Sequence, residues 1–323
     1  MVLEQFEMKI IFVASGNKNV GSVSAFVQSQ FDSLKRKGLD MVMFPVLGHG
    51  IRAHIRAAGN LRRLVRKEKP DIVHAHYSVC GYVATMATLF LKPRVVVSIL
   101  GSFPRKNRKR TIVRFFIKNI WDCTLVKSKR TANQLGINVP VIPNGVNLNQ
   151  FVVLAFDEAR KFCKFESDKK YVIWCSNPSR PEKRYSLAQE SISKLNDKSV
   201  VLYPVYDHPH EEVVKFMCAA DVLLLTSISE GSPNVIKEAM ACNCPIVSTD
   251  VGDVSWITQN VDGTYVSCSS APSEIASLIG KALSFGKRTK GRGQLINLGL
   301  TEEIIAQRII SLYGATLRGR IDF

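Results

Sequence analysis

The segment Leu223–Asp253, LLLTSISEGSPNVIKEAMACNCPIVSTDVGD, decides how the rest of this chain is read. It enters on a continuous apolar run, Val222–Thr226, and leaves on a second, Pro245–Thr249, each of the length of a buried strand. Between them Ser229–Pro233 has turn composition and Val235–Cys242 has the apolar spacing of a helix. Ser232 reads as the N-cap of that helix and Pro233 as its first residue. A helix that starts just past a strand end offers unsatisfied N–H groups and the positive end of its dipole, a setting suited to a diphosphate. Glu230 falls in the loop and Glu238 about one turn inside the helix, so two carboxylates address different hydroxyl groups of one extended ligand.

The same rhythm extends outward in both directions. Short β-branched runs stand at Lys9–Ala14, Met41–Pro45, Asp71–Ala75, Val95–Leu100, Thr124–Lys127 and Val141–Ile142, then at Tyr171–Cys175, Ser199–Val205 and Thr264–Val266. Helix-like stretches separate them, among them Val23–Lys37, Ile55–Lys67, Leu187–Lys194, Glu211–Ala219 and Ser273–Leu283. Strand–helix alternation with continuous apolar strands predicts α/β architecture with parallel sheets covered on both faces. The rhythm breaks at Pro143–Asn144–Gly145, so two doubly wound domains are expected, residues 1–150 and 151–300, facing a central cleft. A last helical segment, Thr301–Leu317 within residues 301–323, is expected to cross back to the first domain.

At 323 residues with 46% apolar content, the chain has room for two cores, which excludes disorder and small disulfide scaffolds. Eight scattered cysteines without a C-x-x-C pair argue against zinc and read as reduced thiols. No apolar run reaches the roughly 18 residues of a membrane span, and Glu4 and Glu7 before the first apolar run do not suit a secretory signal. A cytoplasmic protein is expected. The net charge of +17 is one-sided: residues 1–150 hold 24 Lys and Arg against 7 Asp and Glu, and the remainder balances. The excess gathers in Arg52–Lys69 and Arg105–Lys118, a field that attracts polyanions. In the second cluster Ile112, Val113, Phe115, Phe116, Ile117, Ile120 and Trp121 interleave with the bases. That pattern suits either a helix on an anionic membrane surface or one whose apolar face lies in the core. No nucleic-acid-binding signature accompanies it.

The E-x7-E pair Glu230/Glu238 within SEGSPNVIKEAMACNCPIVSTDVG resembles the donor-binding signature of the family 4 retaining glycosyltransferases of GT-B fold. Further stretches are similar to that family: VIPNGVNLNQF (Val141–Phe151), DIVHAHY (Asp71–Tyr77), SGNKNVGSVSAFV (Ser15–Val27) and NPSRPEKRYSLA (Asn177–Ala188). The resemblance implies two Rossmann-like domains, the first for the acceptor and the second for a nucleotide-sugar donor. It also implies transfer with retention and without a metal or other cofactor. It places Lys183 on the donor diphosphate, with Arg180 as substitute for an Arg that the family carries where Pro178 stands here. Glu230 falls on the donor hexose and Glu238 on the ribose hydroxyls, while backbone at Gly231, Ser232, Asn234 and Val235 holds sugar or phosphate oxygens. Gly21 belongs to a loop that approaches the diphosphate.

The chain departs from the family where a His usually binds the donor sugar. Leu100 stands there, which leaves Gly101 and Ser102 as candidate contacts. His74 and His76, at a strand end, are further candidates against the ordinary alternative of a structural role. The expected enzyme moves a hexose or hexosamine from a nucleotide diphosphate donor, UDP first, to a glycan or lipid-linked acceptor in cell-surface polysaccharide synthesis. Its basic first half would rest on the inner membrane leaflet. A UDP-sugar epimerase of similar fold and a catalytically lapsed polyanion binder remain alternatives.

Overall fold

A computed structural model describes residues 8–16, 23–101 and 108–319. The chain begins with β1 (Lys9–Ser15), α1 (Ala25–Arg36), β2 (Asp40–Val46), α2 (Ile51–Glu68), β3 (Ile72–His76), α3 (Ser78–Thr88), β4 (Arg94–Ile99), α4 (Arg108–Asn119), β5 (Cys123–Val126) and α5 (Lys129–Leu135). It continues through α6 (Phe156–Cys163), β6 (Lys170–Trp174), α7 (Tyr185–Ser193), β7 (Val200–Pro204), α8 (His210–Ala219), β8 (Val222–Leu225) and α9 (Asn234–Ala241). Then come β9 (Ile246–Thr249), α10 (Val254–Ile257), β10 (Thr264–Ser267), α11 (Pro272–Phe285), α12 (Gly291–Asn297) and α13 (Glu302–Leu317). Two compact units result: Met1–Asn144 with Glu302–Phe323, and Gly145–Thr301.

The first unit holds a five-stranded parallel sheet in the order β2-β1-β3-β4-β5. Its inner strands are buried along most of their length because helices cover both faces; every residue of β3 and β5 is buried, the two histidines of β3 included. α2 shows the division of labour: Ala57, Ala58, Leu61 and Val65 recur at helical spacing and are buried, while Arg52, Arg56, Arg63 and Arg66 are exposed. Arg62 donates to the carbonyls of Ala87 and Leu89 at the end of α3, where a cation complements the helix dipole. α13 packs on α1 within this unit. The buried Glu302 accepts from Ser29 Oγ (2.6 Å) and Arg36 (2.7 Å).

The second unit holds a parallel sheet in the order β10-β9-β8-β6-β7. β6 leads outward to β7 on one side, while β8, β9 and β10 follow in turn on the other. The strand order therefore reverses between β6 and β8, which pair through Val172 with Val222 and Ile173 with Leu223. Such a switch point opens a crevice beyond the strand ends, because the two following connections depart in opposite directions.

Several sequence expectations shift. Val141–Ile142 forms no strand; Val141 makes only an isolated bridge to Val126. α5, α6 and α12 were not foreseen; the seven to eight residues of each give too little apolar periodicity to read. α4 answers the question left open for its apolar residues by dividing them. Val113 is buried and Phe116 and Ile117 pack on the core, whereas Ile112 and Phe115, with Ile120 just past the helix end, are exposed. All eight cysteines are free. Among the described residues no helix is long and apolar enough to cross a membrane.

Candidate functional site

The loops after β6 and β8 leave the switch point of the second unit, and each carries one of the residues singled out from sequence. After β6, Asn177 Oδ1 accepts from the amide (2.9 Å) and hydroxyl (2.7 Å) of Ser179, so the loop turns sharply. A single 3-10 turn, Pro181–Lys183, follows, and Arg184 in the left-handed region (φ 54°) opens α7. This compact turn delivers Lys183 Nζ to Glu230 Oε1 at 2.5 Å, with both side chains 18% exposed. Ser227 Oγ donates to the same carboxylate oxygen at 2.7 Å.

Neither loop is free to drift from the other. Arg184 spans them, donating Nε to the Thr226 carbonyl (2.6 Å) and a terminal nitrogen to the Ser227 carbonyl (3.0 Å). Thr226 Oγ1 returns bonds to the carbonyls of Lys183 (2.8 Å) and Arg184 (3.0 Å) and accepts from Trp174 Nε1 (3.0 Å). The Ile228 amide donates to the Glu182 backbone carbonyl (2.9 Å). Sequence reasoning missed Arg184, since its partners lie more than forty residues away.

Arg180 behaves differently from its neighbour Lys183. Its guanidinium is exposed and engages Glu182 through Nε (2.8 Å) and a terminal nitrogen (2.6 Å). The structure thus brings Lys183 and Glu230 together and turns Arg180 to a different carboxylate.

α9 starts one residue later than expected. Pro233 occupies the cap position (φ −67°, ψ 120°) and Asn234 is the first helical residue. Ser232 is no N-cap: its hydroxyl donates to Asp253 Oδ2 (2.6 Å) and accepts from Lys237 Nζ (2.5 Å). Amides of the first turn, Val235 among them, still have no carbonyl four residues back inside the helix. Gly231 and Ser232 are buried while Asn234 and Val235 are half-buried, so the backbone at the helix tip is reachable only at its end.

Glu238 extends from α9 toward the first residue of α8. Its Oε1 lies 3.3 Å from His210 Nε2, while His210 Nδ1 lies 3.1 Å from Gln150 Nε2. The bond to Glu238 raises the His210 pKa against the opposing effect of burial. His210 was not anticipated; a His opening a helical segment carries no distinctive spacing.

In the first unit the remaining candidates are placed as follows. His74 is fully buried, with Nδ1 2.6 Å from the Tyr313 hydroxyl and Nε2 2.8 Å from Ser98 Oγ. Burial, reinforced by Lys127, pushes its pKa down to about 3, so the ring is neutral. His76 stacks on it with ring centroids 4.5 Å apart and is also fully buried and neutral. Both imidazoles are thus internal, and His74 has both nitrogens committed to structure. Gly101 is exposed; Gly21 and Ser102 lie outside the described residues.

Comparison with known proteins gives a consistent picture. The family model described as Glycosyl transferases group 1 matches residues 148–284, and the one described as Glycosyltransferase Family 4 matches residues 23–150. A relative from Bacillus subtilis (strain 168), named for teichuronic acid biosynthesis as glycosyltransferase TuaC, is 25% identical over 234 residues. That match covers 62% of this chain and spans 59% of the relative's own length. The UDP-Gal:alpha-D-GlcNAc-diphosphoundecaprenol alpha-1,3-galactosyltransferase of Escherichia coli is 23% identical over 273 residues, 68% of each chain. Among solved structures, Anabaena HepE in complex with UDP superposes with a TM-score of 0.75 at 14% identity, over 95% of this chain and 100% of that one. This likeness shows the GT-B fold.

Proposed function

The chain belongs to the group 1, family 4 glycosyltransferases, and on that premise we propose that it transfers a sugar from a nucleotide diphosphate donor, UDP-linked, to a glycan or lipid-linked acceptor. The observation that carries this reading is the meeting of Lys183 and Glu230, from two separate loops at the β6/β8 switch point, 2.5 Å apart. Lys183 and the first-turn amides of α9 supply positive charge where a leaving diphosphate gains negative charge. Both bonds to Glu230 fall on Oε1, so among the described residues Oε2 has no protein partner and is available to a hexose hydroxyl. Glu238 serves the ribose hydroxyls. Transfer is read as retaining and metal-independent, with the diphosphate assisting the incoming hydroxyl on the face it leaves. The names of the relatives support this reading: one carries UDP-Gal and a diphosphoundecaprenol-linked acceptor, the other teichuronic acid biosynthesis.

Thermal-shift screening against UDP, GDP, ADP and their common sugars tests the donor assignment. UDP at about 100 times its dissociation constant adds about 2.7 kcal/mol of stability, a rise of several degrees. A panel that leaves the melting temperature unchanged overturns the reading. Incubating the UDP-sugar without acceptor separates a transferase, which hydrolyses it slowly, from an epimerase, which converts it.

The first unit is proposed to work as a peripheral body on the anionic inner face of the membrane. Support comes from α4 and the residue after it, where exposed Ile112, Phe115 and Ile120 stand among exposed Arg108, Lys109 and Lys118. Arg114 is less available, since it donates to the Leu135 carbonyl at the end of α5 (2.6 Å). With about 1 kcal/mol per basic residue near an anionic surface, the triple variant Arg108→Gln, Lys109→Gln, Lys118→Gln is expected to lose about 100-fold in partitioning to anionic vesicles. UDP binding should be unchanged. Equal cosedimentation of variant and wild type at moderate salt removes the membrane assignment.

A further inference from the structure

Lys237 is an anomaly inside α9. Its neighbours Ile236, Ala239, Met240 and Ala241 are buried apolar residues, and Lys237 is buried with them, at 0% exposure. Helical side chains tilt toward the N-terminus, so this ammonium reaches back past the first turn to Ser232 Oγ at 2.5 Å. There it faces the positive end of its own helix dipole, an unfavourable place for a cation. Burial lowers its pKa, while Asp253, Glu238 and Glu230 pull it back toward the charged form.

The countercharge comes from another loop. Ser232 Oγ donates a hydrogen bond to Asp253 Oδ2 at 2.6 Å, and Asp253 stands between β9 and α10 with 7% exposure. Its second oxygen, Oδ1, is buried without a partner among the described residues. Backbone contact reinforces the bridge: Gly252 has φ +60°, and a Cβ there would lie 2.7 Å from the Gly231 carbonyl oxygen. Two buried charges and a bare carboxylate oxygen are poor devices for stability, since apolar residues of similar volume commonly do as well or better. What they achieve is geometric. The loop Gly231–Asn234 is tied from below by its own helix and from the side by the next loop.

We propose that Lys237, Ser232 and Asp253 form a buried positioning set that holds the Gly231–Asn234 loop in the shape that receives the donor's phosphates and sugar. This rests on the donor assignment above. None of the three side chains needs to touch the ligand. The Ser232 hydroxyl donates its one hydrogen bond to Asp253 and accepts one from Lys237, so it has no hydrogen left to donate to the ligand.

The test combines Lys237→Met, Asp253→Asn and the double variant, each measured for melting temperature and for UDP affinity by calorimetry below the lowest transition. Each single change leaves a buried charge unpaired and is expected to lower the melting temperature by about 5–10 °C. Removing both charges together relieves that penalty, so the double variant should return to within about 3 °C of wild type. If the set positions the loop, UDP binding stays about tenfold or more weaker in the double variant despite its recovered stability. Affinity that returns with stability to within about twofold of wild type overturns the proposal, as does unaltered affinity in the single variants. Wild type that binds none of UDP, GDP and ADP overturns the donor assignment and this proposal together, whereas wild type that binds beside indifferent variants overturns this proposal alone.

Discussion

Lys183→Ala is expected to lower turnover with nucleotide-sugar and acceptor by about 10²–10³-fold, the usual loss when one group stabilising charge on the transition state is removed. Charge builds on the diphosphate as the glycosidic bond lengthens, and Lys183 is the cation that the β6 loop holds at the β8 loop, 2.5 Å from Glu230. Folding should suffer little. The Arg184 bonds to the Thr226 and Ser227 carbonyls, which tie the loops together, do not involve the lysine side chain. Lys183→Arg keeps the charge but not the compact geometry of an ammonium, and should recover part of the loss. Initial-rate measurement on both variants, with melting temperature as control, decides the matter. A Lys183→Ala enzyme within about threefold of wild-type turnover removes Lys183 from the chemistry.

Glu238→Gln is expected to weaken UDP binding by about 10–100-fold, because hydrogen bonds to a charged acceptor are each worth about 1.5–3 kcal/mol and the ribose offers two hydroxyls. It should raise KM more than it lowers kcat, since the ribose lies away from the reacting carbon. The same change carries a signature in pH. His210 has its pKa raised by the bond to Glu238, so the folded state holds its proton more tightly than the unfolded chain does. That contribution to stability is fully present below the ordinary histidine value of 6.5 and is lost as pH rises through the raised folded value. Melting curves from about pH 5.5 to about pH 8.5 should therefore show wild type losing this advantage as pH rises, with Glu238→Gln lacking that component. Parallel curves would show that the His210–Glu238 bond does not form in solution.

Much of the second unit was legible because its strands are continuous apolar runs. Val222–Leu225 and Ile246–Thr249 are short, fully buried and bounded by turn residues, so their identity does not depend on distant contacts. Glu230, Glu238 and Lys183 were likewise visible, through spacing within local stretches and through family resemblance. α6 escaped because only Ala159 is buried within it, which leaves no apolar stripe to recognise. Ser232 was misread for a different reason. Local sequence favours Ser before Pro as a helix cap, but its hydroxyl instead donates to a carboxylate 21 positions on and accepts from Lys237. His74 looked like a candidate at a strand end until Tyr313, 239 residues away, closed over it.

The amino-acid order alone thus settles the alternation of strands and helices, the concentration of positive charge in the first half and the presence of an acidic pair about a helix tip. These follow from interactions over a few residues or from simple composition. Which cation meets Glu230, which carboxylate occupies Arg180, where α9 starts and why a lysine lies buried beneath its tip were decided only in three dimensions. Each depends on a partner supplied by a different loop, and a side chain's choice among competing partners is fixed by burial and distance once those loops have been brought together.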